Sequence, residues 1–157
     1  SSRLLTTIGG RIYPSRGARL ARLMDTLARD GAKTRATLGG CLIAPMQFGR
    51  LVIAREPLKD RRLSVLDRPV LWDGRFLAST TSSQILHIGA LLQGDMAQVK
   101  ECSDPVLWSL LPHAARLACP GIFEGDTLVA VPHLGWSVPE VAVDFAPAVP
   151  LSTANFI

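Results

Sequence analysis

Apolar positions first recur along the chain at helical spacing. Leu4, Leu5 and Ile8, followed by Gly9-Gly10, read as the end of a short helix, since glycine just past the last apolar position is a frequent helix stop. Pro14 suits a first helical turn, and Leu20, Leu23, Met24 and Leu27 fall at i, i+3, i+4 and i+7, so a second helix is expected up to Asp30-Gly31. Between residues 33 and 56 the period shortens. Arg35-Ala36-Thr37-Leu38 and Cys41-Leu42-Ile43-Ala44 flank Gly39-Gly40, residues 45–49 interrupt, and residues 50–56 resume the apolar run, which predicts a β-hairpin. The internal glycine pair predicts a bulge or a close backbone approach. Lys59-Asp60-Arg61-Arg62 and Asp67-Arg68-Pro69 read as a polar connection.

Strand signals then alternate with helical ones. Val70-Leu71-Trp72, Asp73-Gly74 and Arg75-Phe76-Leu77-Ala78 predict strand, turn and strand, Asp-Gly being suited to a tight hairpin turn. Residues 84–88 predict a further strand and 95–101 a short helix. Ser103-Asp104-Pro105 supplies a cap and a first-turn proline for a helix carrying Val106, Leu107, Leu110, Leu111, Ala114, Ala115 and Leu117. That helix is expected to pack into the core and to kink or split at Pro112. Ile122-Phe123, the turn Glu124-Gly125-Asp126 and residues 127–131 predict another hairpin, closed by Pro132-His133-Leu134-Gly135-Trp136, with a last strand at 141–145. The fold class expected is α+β, short helices packed on small antiparallel sheets or hairpins, in two lobes forming one unit.

Composition adds a charge boundary. With 157 residues, 48% apolar and 19% charged, the chain can bury a sizeable core and lacks a disordered or fibrous signature. Residues 1–75 hold 15 Lys and Arg against 6 Asp and Glu, and residues 76–157 hold 2 against 7, giving +9 and −5 within the overall +4. The expected lobes are accordingly a basic one, 1–75, and a more acidic one, 76–157. A basic lobe suits a polyanion, although charged helix faces are also ordinary solvated surface. No apolar run is long enough to span a membrane, and no membrane partner is expected. Three cysteines without a CxxC pair fit reduced thiols in a cytoplasmic protein. Arg11, Arg16, Arg19 and Arg22 occupy the place of a signal peptide's apolar core, and the opening at Ser1 within a helix-like pattern suggests a piece of a longer chain.

The side-chain chemistry offers no catalytic constellation. Carboxylates are scattered, and His87, His113 and His133 lie too far apart in sequence for a local metal motif. Gly39-Gly40 has no following Lys-Ser/Thr, so it is not a phosphate loop. Cys41 and His87 sit in apolar runs and read as core residues. Composition and spacing alone reach a polyanion-binding α+β domain without a metal or cofactor of its own.

Five short motifs in order, Gly9-Gly10-Arg11-Ile12-Tyr13-Pro14, Thr37-Leu38-Gly39-Gly40-Cys41, Arg55-Glu56-Pro57, Leu71-Trp72-Asp73-Gly74-Arg75-Phe76 and Val131-Pro132-His133-Leu134-Gly135, carry a resemblance. Over most of residues 3–136 the chain resembles the C-terminal half of tRNA(Ile)-lysidine synthetases of the alphaproteobacterial type. In that family an N-terminal PP-loop domain uses ATP to adenylate the wobble cytidine of an isoleucine tRNA with a CAU anticodon, and lysine displaces AMP to give lysidine. The family's ATP-binding Ser-Gly-Gly-x-Asp-Ser loop is not present, as Gly39-Gly40 lies between Leu38 and Cys41. The resemblance therefore implies a non-catalytic, tRNA-holding region whose partners are the tRNA and the catalytic domain of the same protein, with ATP and lysine used by that domain. By motif position it implies RNA contacts at Arg11, Arg55 and Arg75. Arg16, Arg19, Arg22, Lys33 and Arg35 join them on charge. A second reading keeps the chain as a structural or interdomain docking module without nucleic-acid binding. The two part at Arg75, which is exposed in the first and buried against Asp73 or another acid in the second.

Overall fold

The computed structural model describes residues 35–38, 40–45, 50–58, 62–65 and 68–147, together with 22, 25 and 29. Two compact units make up the chain, Pro57–Ala146 and a second of Ser1–Glu56 with Pro147–Ile157. In the N-terminal unit the β-branched and apolar residues pair as an antiparallel meander of β1 (Ala36–Leu38), β2 (Cys41–Pro45) and β3 (Leu51–Arg55). Leu38 pairs with Cys41, and Gly40 lies in the turn between β1 and β2. Gly40 takes φ 77°, a left-handed conformation that a side chain disfavours. Cys41 and Ile43 are buried, at 0% and 4% exposure, as their apolar run predicts. Arg22, Asp25 and Arg29 are helical and exposed. The helix end at 4–10 and the rest of the helix expected over 14–30 lie outside the described residues, as do 59–61, 66–67 and the tail from 148.

The unit Pro57–Ala146 contains β4 (Arg62–Val65), β5 (Val70–Trp72), β6 (Phe76–Thr80), β7 (Leu86–Ala90), α1 (Met96–Cys102), α2 (Pro105–Leu110), α3 (His113–Leu117), β8 (Pro120–Glu124), β9 (Thr127–Ala130) and β10 (Val141–Phe145). Its strands form two antiparallel sheets, ordered β10-β6-β5 and β4-β7-β8-β9. Between the sheets lies a core of Val65, Trp72, Phe76, Ala78, Leu86, Ile88, Ile122, Ala130 and Val141. A second cluster joins Phe123 and Leu128 of the four-stranded sheet to Met96 and Val99 of α1, with Leu91, Cys119, Val131 and Leu134. Successive residues of a strand point to opposite faces, so Ile122 enters one cluster and Phe123 the other, and β8 is covered on both sides. The architecture is α+β, with three small antiparallel sheets and short helices.

The charge boundary at Arg75–Phe76 runs through a turn whose flanking strands pair, and β4 pairs with β7. Two features differ from the sequence-based expectation. Arg62, placed in a polar connection, instead opens β4; its guanidinium lies 4.1 Å over the Phe123 ring and 3.2 Å from Asp126 Oδ1. The apolar helix after Asp104 does not pack into the core along its length. Pro112 has no N–H to continue it, so it splits into α2 and α3, and Val106 and Leu110 stay 65% and 70% exposed. Only Trp108, Leu111 and Leu117 of this region pack against the second cluster.

Candidate nucleic-acid interface

The motif Leu71–Phe76 is built around a tight turn. Asp73 and Gly74 have φ of 52° and 65°, and the Arg75 N–H donates to Trp72 O at 3.1 Å. Asp is among the few non-glycine residues that accept this left-handed geometry at modest cost. Trp72 pairs with Phe76, which leaves Arg75 as an extra residue between turn and strand. Its side chain folds back over the turn. Nε donates to Asp73 Oδ2 at 2.9 Å, Nη2 lies 3.4 Å from Ala118 O, and the guanidinium stacks 4.8 Å above the Phe76 ring. The two paired side chains are 5% and 3% exposed. The backbone carbonyl of Arg75 also accepts from Ala146 N–H at 2.7 Å, tying the end of β10 to the turn.

Phe76 links this turn to the motif Val131–Gly135 of the same unit. Its ring meets Phe145 and His133 edge-on at 5.5 and 5.0 Å and lies 6.2 Å from Trp72. Thus Leu71–Phe76 and Val131–Gly135 meet through one aromatic contact. Burial lowers the His133 pKa; the Asp144 carboxylate opposes that shift and Arg75 adds to it. Burial pushes the Cys119 thiol up to about 11, with Arg75 pulling the other way. A neutral imidazole and an un-ionised thiol around an internal ion pair make a packed joint, with no activated nucleophile.

The proposed contact residues separate according to this geometry. Arg75 is 4% exposed and holds the turn, as the second reading requires at this position. Arg55 is half-buried at the end of β3 and donates through Nη1 to Gly40 O at 2.6 Å. Arg35, just before β1, and Arg22 are exposed. Arg11, Arg16, Arg19 and Lys33 lie outside the described residues. The sequence reading did not single out Arg50, exposed just before β3, or the meeting of Phe76 with His133. Charge counting does not reveal which end of a strand a residue occupies. The co-occurrence of two motifs was the available signal for the aromatic contact.

Charge also divides between the structural units, though less sharply than at Arg75. Ser1–Glu56 with Pro147–Ile157 holds ten Lys and Arg against three Asp and Glu, and Pro57–Ala146 holds seven against ten, so the net charges are +7 and −3. A cleft of about 560 Å³ in the acidic unit is lined by Ser82, Ser83, Gln84, Leu86, Val129 and Val138 and by the carboxylates Glu124 and Glu140, a lining that repels phosphate. Among the described residues, no group of three or more His, Cys, Asp or Glu could hold a metal ion, and no helix is long and apolar enough to cross a membrane.

No protein-family model matches the chain, and no solved structure matches it. Over 130 residues it is 33% identical to a tRNA(Ile)-lysidine synthase of Ruegeria pomeroyi, an alignment covering 82% of this chain and 28% of that protein. The resemblance carried by the short motifs therefore extends through most of the sequence. Over that shared stretch the chain is related to the tRNA(Ile)-lysidine synthases.

Proposed function

We propose that this chain is the tRNA-binding accessory region of an ATP-dependent tRNA(Ile)-lysidine synthetase, which converts a wobble cytidine to lysidine in the cytoplasm. On this reading ATP and lysine are handled by a catalytic domain elsewhere in the parent protein. The observation that carries it is the concentration of positive charge in one unit, +7 against −3, with Arg22 and Arg35 exposed on it. Exposed guanidinium groups displace counterions from RNA phosphates and suit contacts along a duplex read by shape. Arg22 and Arg35 act as contacts, and Arg11, Arg16, Arg19 and Lys33 are further candidates in the same unit. Arg55, which donates to Gly40 O, supports the fold of that unit, whereas Arg75 holds a turn of the acidic unit.

The interdomain-docking alternative is favoured locally by the burial of Arg75 with Asp73. Ultraviolet crosslinking of the chain to unmodified isoleucine tRNA with a CAU anticodon, followed by peptide mapping, separates the two. Crosslinks concentrated in 1–56 are the expected result. Their absence, or their confinement to 57–146, would reject the proposed surface.

A further inference from the structure

The strand register of the basic unit brings together two arginines that the sequence separates by fifteen positions. Thr37, Leu42 and Ala54 form one cross-strand row, and Ala44 pairs with Val52 in the next. Continuing that register one residue before β1 sets Arg35 beside Ala44 and Val52. Arg50 lies two residues before Val52, so alternation returns it to the same face at the same end of the sheet. Both residues are exposed, as is Thr37 two positions inward from Arg35. Arg55 belongs to the opposite face, in the row of Leu38 and Cys41, and lies at the other end of β3. With strands about 4.8 Å apart and a rise of about 3.3 Å per residue, the Cα atoms of Arg35 and Arg50 are about 12 Å apart. Two arginine side chains can converge across such a gap.

We propose that the Arg35–Arg50 end of the β1–β3 sheet is a clamp for the sugar-phosphate backbone of RNA, with the Thr37 hydroxyl as a neighbouring hydrogen-bond donor. This rests on the tRNA-binding reading and gives it a place: the RNA crosses the end of the meander away from Gly40. Guanidinium forks match phosphate oxygens in pairs, so each arginine supplies both charge and directed hydrogen bonds. The contact is independent of base identity. Both arginines belong to the unit of net charge +7.

The test is a titration of the full chain with the same tRNA over a salt series, comparing the native sequence, R35A/R50A, R35K/R50K and R68A/K100A. The last pair removes two exposed cations from the acidic unit. R35A/R50A should weaken binding roughly tenfold per arginine near 0.1 M salt and flatten the slope of log K against log salt by about 1.5. The lysine pair should restore most of the slope, and R68A/K100A should stay within about twofold of native. Equal effects of R35A/R50A and R68A/K100A, with native binding intact, would overturn the clamp and leave the tRNA-binding reading standing. Failure of the native chain to bind would overturn both. Because R35K/R50K keeps the charge and the long stem, loss of slope in a folded alanine pair that lysine recovers cannot come from misfolding.

Discussion

Substituting Arg75 by alanine should unfold the acidic unit far more readily while leaving RNA contacts on the basic unit intact. The guanidinium is 2.9 Å from Asp73 Oδ2 and stacks on Phe76, and both charged side chains are almost wholly removed from water. Deleting one partner breaks an ion pair buried from water, which costs about 3–5 kcal/mol. Against a typical domain stability of about 5–15 kcal/mol, this is a large fraction. The double change D73N/R75M leaves no lone charge, keeps an amide that tolerates the left-handed turn and preserves apolar bulk over Phe76. It should therefore cost less than Arg75→Ala alone. Trp72, Trp108 and Trp136 all belong to Pro57–Ala146, so tryptophan fluorescence in a urea titration reports this unit. The midpoint should fall by more than about 1 M in Arg75→Ala. An unchanged midpoint accompanied by lost tRNA affinity would refute the argument and make Arg75 a direct contact.

Further outcomes follow from the same joint and its surroundings. Gly135 has φ 82°, and a Cβ there would lie 2.6 Å from Asp104 Cβ at the start of α2, so Gly135→Ala should cost about 2 kcal/mol or more, read as a lower melting temperature. With its thiol held near 11 and the side chain buried, Cys119 should resist a thiol reagent at pH 8, while exposed Cys102 reacts. His133 in the folded chain has a pKa below its ordinary 6.5, so the unfolded chain takes up the proton first as pH falls. Stability should decline from pH 6.5 downward until the folded-state pKa is passed. His133→Phe keeps a ring against Phe76 and should show a shallower decline in urea titrations over that range.

Local signals in the sequence were sufficient wherever turn chemistry and alternation agreed. Asp73, Gly74 and Gly125 take positive φ in hairpin turns, and residues 141–145 form a strand over that span. Asp104-Pro105 caps α2 through hydrogen bonds from the Val106 and Leu107 N–H groups, and Pro112 breaks the helix. Long-range partners were not legible. β10 pairs with β6 across more than sixty residues, and only that pairing explains why Phe145 reaches Phe76. The exposure of Val106 and Leu110 was equally hidden, since an apolar pattern does not reveal how few residues of a six-residue helix reach a core. At the site, net charge indicated a polyanion, but the same count included Arg75, whose charge is used internally by Asp73. Register, not composition, unites Arg35 with Arg50.

The most direct measurement is the salt dependence of tRNA binding by the native chain. If several arginines of the basic unit contact phosphates, log K should fall with log salt at a slope of about −3 or steeper, as expected for four or more contacts. A flat salt dependence, or no binding at low salt, would contradict a tRNA-holding role and leave the docking module as the account of this fold.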